Sequence, residues 1–153
     1  MEPAWNSSVT AWLKTTTDKF YAPGYHYDMM HDNPRNEAYR AAIAEAVESD
    51  EDFVLEIGTG SGLLALIAAE SCCQHVYTVE GNPPVADAAK AVVSANAKDD
   101  RITVLSKFST DVEVHYTADM PAQADVLVAE IFDTGLVGEG PRNLAPTPTP
   151  LLT

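Results

Sequence analysis

From residue 53 to residue 132 the chain alternates two hydrophobic patterns. Short unbroken apolar runs, "FVLEIG", "HVYTVE", "ITVLS" and "ADVLVAEIF", predict strands at Phe53–Gly58, His75–Glu80, Ile102–Ser106 and Ala124–Phe132. Between them the period changes to that of a helix. "LLALIAAE" starts one at Leu63, and "GNPPVADAAKAVVSANA" places two prolines at a helix start, with Val85, Ala89, Val92 and Val93 on one face. Upstream, from Pro34, the four-residue spacing of Tyr39, Ile43 and Val47 predicts a further helix, closed by Glu48, Ser49 and Asp50. "VEVHY", Val112 to Tyr116, predicts one more short strand. Strands alternating with helices imply an α/β domain with a parallel sheet, wound right-handedly. Continuous rather than alternating apolar strands imply that both sheet faces are covered. The first ~25 residues show no clear period, no internal repeat is visible, and "GPRNLAPTPTPLLT" is a low-complexity, extended tail.

Composition narrows the class. The 153 residues suit one domain, and such a chain buries roughly 68–70% of its unfolded surface. With 46% hydrophobic residues it has the means to build a core. Nine basic against 23 acidic residues give a net charge of −14. That argues against nucleic acid and anionic membranes as partners, and makes a basic partner the electrostatic complement. No run is long enough to span a membrane and no secretory signal is visible, so an intracellular protein, cytoplasmic or nuclear, is expected and "NSS" at Asn6 is read as chance. Cys72 and Cys73 are adjacent, which is neither metal-ligand spacing nor a disulfide geometry, and no metal site is expected.

Candidate chemistry gathers at the strand ends. "LEIGTGSGL" reads as a strand, a tight turn and a helix start, with Gly58, Gly60 and Gly62 allowing close backbone approach to a ligand. Leu63 stands where a dinucleotide fingerprint needs glycine, and no G-K-[ST] follows, so this is neither that fingerprint nor a P-loop. Glu80 ends the second strand, where a carboxylate can accept both ribose hydroxyls of a nucleoside. Glu56 ends the first strand, placed to interact with a cationic ligand directly or through water. An acidic cleft without a phosphate-binding lysine suits a cationic nucleoside, for which S-adenosylmethionine is the candidate.

"LEIGTGSGLLAL", "VYTVEGNPPVADAAKAVVSAN" and "AEIFDTGLVGEG", in this order and spacing, resemble the protein arginine methyltransferases. "DMMHDNPRNEAYR" resembles their N-terminal cofactor helix, and "FDTGLVGEG" with "HDNPRN" looks closest to the monomethylating, type III branch. The resemblance covers roughly residues 12 to 140. It implies a Rossmann-like S-adenosylmethionine-dependent methyltransferase fold with a partial parallel sheet and cofactor-covering N-terminal helices. It also implies methyl transfer to arginine in histones or Arg/Gly-rich proteins, with monomethylation expected. Glu130 and Glu139 match two glutamates that hold the substrate guanidinium in that family. The chemistry agrees, because a guanidinium is a planar fork of donors that carboxylates match bidentately. By the same match Arg35 pairs with the cofactor carboxylate and Met29 packs near the sulfonium. His26 contacts the cofactor, and Ser109 and Thr110 recognise the adenine. Glu56 replaces a common aspartate.

The chain departs from the family pattern after the glutamate loop, where a proline tail stands in place of further sheet and barrel. The expected organisation is residues 1–30 as an N-terminal segment with the start of the covering helix, 31–140 as an incomplete methyltransferase domain, and 141–153 as tail. The fourth strand, Val126 to Phe132, is then a long apolar edge. Two alternatives stand beside an arginine methyltransferase. One is a truncated, non-catalytic form that binds S-adenosylmethionine or a basic partner, or pairs with a full-length family subunit. The other is a small-molecule methyltransferase, against which the acidic pair argues.

Overall fold

The computed structural model describes residues 25–131, so Glu139, the residues before Tyr25 and the proline tail lie outside the described residues. Two helices come first, α1 (Tyr25–His31) and α2 (Asn33–Ala46). Asp32 separates them because its side chain caps α2, accepting from the Arg35 backbone N–H at 3.1 Å. Pro34 fits the first turn, where a missing N–H costs nothing. Asn36 then ties α2 back to α1 by donating from Nδ2 to the Met29 and Met30 carbonyls. Only Ile43 is buried within α2, with Tyr39 partly so and Val47 buried just past its end. The helix therefore rides on the domain along one narrow stripe.

The sheet has strands β1 (Phe53–Ile57), β2 (His75–Val79), β3 (Ile102–Leu105) and β4 (Val126–Ala129). All are parallel, in the order β3-β2-β1-β4. Helices α3 (Leu63–Ala68) and α4 (Pro83–Ala95) supply the crossovers. Register decides which side chains share a face: Val54 pairs with Val76 and Val126, and Val76 with Ile102. These belong to the larger core, with Leu64 to Ala69 of the α3 segment and Ala88, Val92 and Val93 of α4. On the opposite face Leu55 and Val79 pack with Val112, Met120 and Ala124 from the return between β3 and β4. Lys107 holds that return together by pairing with both carboxylate oxygens of Asp119, at 2.8 and 2.7 Å.

The strand expected at Val112–Tyr116 does not form. Its apolar alternation is used to bury Val112 and half-bury Val114, and its backbone makes one isolated bridge, Val114 to Met120. A 3-10 turn, Ser109–Asp111, precedes it. The last strand is also shorter than its apolar run suggests. It stops at Ala129, leaving Glu130 just beyond, and β4 is a short edge among the described residues, with Leu127 exposed. Both cysteines are free, Cys72 exposed and Cys73 buried.

Candidate functional site

The site lies beyond the C-terminal ends of β1, β2 and β4, where an open parallel sheet leaves its crevice. Gly58, Gly60 and Gly62 follow β1 with φ of +88°, +51° and +80°. At Gly58 a side chain meets two obstacles, the left-handed backbone and Ile131, whose Cγ2 lies 3.3 Å from an ideal Cβ. The Gly58 and Thr59 N–H groups both donate to the Val79 carbonyl, which folds the turn over the end of β2.

Glu80 leaves β2 into this turn. One carboxylate oxygen accepts from Gly60 N–H at 3.1 Å and the other from Asn82 N–H at 2.9 Å. The carboxylate is thereby held between the glycine turn and the start of α4, and the residue is half-buried. Beside it the ring of Phe108 lies so close to Gly81 that an ideal Cβ there would sit 2.7 Å from the ring. Phe108 itself is 65% exposed, and Ser109 and Thr110 follow it in the 3-10 turn. Phe108 is a site neighbour that the sequence reading passed over; an aromatic in a polar stretch directly after a strand was its only signal.

Glu56 behaves differently from the ligand-facing acid expected from its place in the chain. It shares a sheet face with Thr78, its register partner, and is 2% exposed. Thr78 Oγ1 donates to it at 2.6 Å, and Thr59 Oγ1 lies 2.6 Å from Thr78 Oγ1. A hydroxyl chain thus runs from the glycine turn to the buried carboxyl. Burial pushes the Glu56 carboxyl up, the Thr78 bond opposes this, and the charge of Glu80 adds to it, leaving it at about 8. In this structure its partner is Thr78 rather than solvent.

At the other side of the crevice the fold joins two residues read as serving different ligands. Arg35, in the first turn of α2, places its guanidinium 3.3 Å from the carboxylate of Glu130, just past β4. The same guanidinium donates to Asn36 Oδ1 at 2.8 Å and lies 4.9 Å from the centre of the Tyr39 ring. One of its terminal nitrogens is buried without a hydrogen bond, so the contact with Glu130 is a charge pair only. Burial and the Glu130 charge together raise the Tyr39 hydroxyl above its ordinary value, against the opposing charge of Arg35. Met29 sits at the α1–α2 junction, half-buried, with its carbonyl held by Asn36. His26 belongs to α1, but its side chain lies outside the described residues, as does all of Glu139.

A glycine turn after the first strand, an acid after the second and a parallel sheet of this order define a Rossmann-like nucleoside-binding fold, and the similarities that follow make it a methyltransferase of the S-adenosylmethionine-dependent class. A family model described as ribosomal protein L11 methyltransferase (PrmA) matches residues 41–138. Protein arginine N-methyltransferase 7 of Bos taurus is 43% identical over 118 residues, 74% of this chain. Its Danio rerio counterpart is 38% identical over 138 residues, 84% of this chain. The chain belongs to the methyltransferase family that the model describes and, by these relatives, to the protein arginine N-methyltransferases. It spans 17% of the Bos taurus relative and 20% of the Danio rerio one. Among solved structures, Arabidopsis thaliana protein arginine methyltransferase 10 is similar with a TM-score of 0.64 and 29% identity, over 82% of this chain and 33% of that one. The Trypanosoma brucei PRMT1 enzyme–prozyme heterotetramer with AdoHcy gives 0.66 and 25%, over 78% and 36%.

Proposed function

We propose that this chain carries the cofactor-binding part of an enzyme that transfers a methyl group from S-adenosylmethionine to a guanidinium nitrogen of arginine in a basic, Arg/Gly-rich protein such as a histone, with monomethylation as the outcome. The observation that carries this reading is Glu130: an acid just past β4, on the rim of the nucleoside crevice, that already holds a guanidinium.

Each residue then has a task that its position supports. Glu80, steadied by two backbone N–H groups, accepts from the ribose hydroxyls. Ser109 and Thr110, in the turn that follows Phe108, recognise the adenine. Gly58 and Gly60 let the ligand approach the backbone. Arg35 supports the amino-acid carboxylate, and from α1 Met29 serves the sulfonium and His26 the cofactor. Glu56 supplies a buried acid beneath the turn. When bound, S-adenosylmethionine supplies an electrophilic methyl group. Glu130, with Glu139 from the following loop, holds the positive charge at one side of the guanidinium so that the remaining nitrogen presents its lone pair. Proximity and orientation supply most of the rate.

A second reading follows from the edge position of β4 among the described residues: a form without turnover that pairs with a full-length family subunit. One experiment separates the two. The purified chain is titrated calorimetrically with S-adenosylmethionine beside Glu80→Ala, then assayed for methylation of an Arg/Gly-rich peptide beside Glu130→Gln and Glu139→Gln. The proposal expects saturable binding lost in Glu80→Ala, and peptide methylation lowered by about 100-fold or more in either glutamine variant, since each removes one charge-assisted contact to the reacting group. Methylation that survives both glutamine variants overturns it. Binding without turnover favours the second reading.

A further inference from the structure

We propose that the exposed ring of Phe108 is the platform on which the base of the cofactor stacks, and that Gly81 is the small residue that makes room for that ring. The inference rests on the reading of the crevice as an S-adenosylmethionine site given above, and names the residue that holds the base by its face.

The strand order lays out the ligand. Beyond the C-terminal edge of the sheet the glycine turn follows β1, Glu80 follows β2 and Phe108 comes shortly after β3. These three strands stand side by side in the order β3-β2-β1. A nucleoside whose ribose hydroxyls meet Glu80 carries its 5′ substituent and its base on opposite sides of the sugar. With the 5′ side at the glycine turn, the base falls on the β3 side, where Phe108 stands.

Phe108 is built as a contact surface rather than as a core residue. It is 65% exposed, although phenylalanine is among the residues most often buried. Its backbone is nevertheless anchored on both sides. Before it, Lys107 Nζ grips both carboxylate oxygens of Asp119. After it, the Asp111 N–H donates back to the Phe108 carbonyl at 3.0 Å and closes the 3-10 turn. An exposed ring on an anchored backbone loses little freedom when a ligand covers it. The Leu105 carbonyl accepts from both the Glu80 N–H at 3.0 Å and the Lys107 N–H at 3.1 Å, which fixes the spacing between the ribose acid and the turn that carries Phe108. The ring lies over Gly81, the residue after Glu80, where an ideal Cβ would sit 2.7 and 2.8 Å from two ring carbons. A side chain at position 81 would therefore push the ring out of place. Acid and ring are presented next to one another, one for the sugar and one for the flat face of the base. Stacking does not distinguish the edges of a base, so that task stays with the polar residues Ser109 and Thr110.

The test uses two ligands that differ in the base alone. S-adenosylhomocysteine carries adenine; S-ribosylhomocysteine shares the ribose and the homocysteine and lacks the base. Each is titrated calorimetrically into the full chain, Phe108→Ala, Phe108→Trp and Glu80→Ala. Phe108→Ala is expected to weaken S-adenosylhomocysteine by about 10-fold or more and S-ribosylhomocysteine by less than about two-fold. Phe108→Trp keeps the platform, so S-adenosylhomocysteine binds it within about two-fold of the original chain and quenches its tryptophan fluorescence more than that of the original chain. Unchanged S-adenosylhomocysteine affinity in Phe108→Ala overturns the proposal. Equal weakening of both ligands also overturns it, because Phe108 would then support Glu80 and not the base. Either result leaves the cofactor reading intact. S-adenosylhomocysteine that binds Glu80→Ala as tightly as the original chain overturns the cofactor reading, and the proposal with it.

Discussion

At the scale of single residues the buried Glu56 sets a pH dependence. The folded chain holds its proton up to about pH 8, whereas the ordinary carboxyl value is 4.5. Between these values the unfolded chain has released a proton that the folded chain keeps. Stability therefore falls as pH rises from about 4.5 towards about 8, and is fully present only below that window. The loss is on the order of a few kcal/mol, at most about 5. Glu56→Gln keeps the shape and removes the proton. Urea unfolding at about pH 5, 6.5 and 8 is expected to show a falling midpoint for the original chain and a nearly flat one for the glutamine variant. A parallel fall in both would assign the titration to another group. The Thr59–Thr78–Glu56 chain links this carboxyl to the glycine turn by hydrogen bonds, although the residue has no view of solvent.

At the scale of elements, α2 rests on the domain along a narrow stripe. It contributes Ile43 alone to full burial within its length, and Arg40 links it to the end of α3 through an ion pair with Glu70. Yet its first turn carries Arg35. The Asp32 cap therefore does two things, ending α1 and placing Arg35. Asp32→Ala is expected to cost about 1 kcal/mol in thermal unfolding. It should also weaken S-adenosylmethionine binding in calorimetry, although Asp32 touches no proposed ligand position. A stability loss without any change in binding would mean that Arg35 is held by Asn36 and Tyr39 alone. The element scale also shows where apolar pattern fails as a guide. The four runs read as strands are strands because a parallel strand covered on both faces must be apolar throughout. "VEVHY" alternates as a half-buried strand does, but its backbone makes only the isolated Val114–Met120 bridge among the described residues, and two anchors, Val112 and Met120, satisfy the same pattern as an irregular return.

At the scale of the whole molecule, the net charge of −14 acts over distance rather than at one contact. A basic peptide meets an attractive field before it meets Glu130, and salt screens that field over about 10 Å at 0.1 M. Peptide binding is expected to weaken several-fold between about 0.05 and 0.5 M salt, through a slower association rate, with dissociation changed less. Stopped-flow fluorescence with a labelled peptide separates the two rates. S-adenosylmethionine, with its smaller net charge, should show a shallower salt dependence in the same range. Equal slopes would mean that the field does not favour the basic partner.

The sequence alone determined what depends on local pattern. Apolar runs, the glycine turn and the prolines at helix starts specify a parallel α/β sheet. They also place Gly58, Gly60 and Glu80 at its C-terminal edge, because each signal lies within a few residues of the feature it marks. Tertiary structure decided what depends on distant partners. Glu56 was legible as an acid at a strand end, but its burial against Thr78 comes from the pairing of β1 with β2. Phe108 reaches Gly81 only because the turn after β3 folds towards the end of β2. Arg35 and Glu130 stand at opposite ends of the described chain, and each read as a ligand for a different molecule. Only the folding of α2 across the end of β4 brings their charges to 3.3 Å, since the field of a charge follows distance in space and is blind to distance along the sequence.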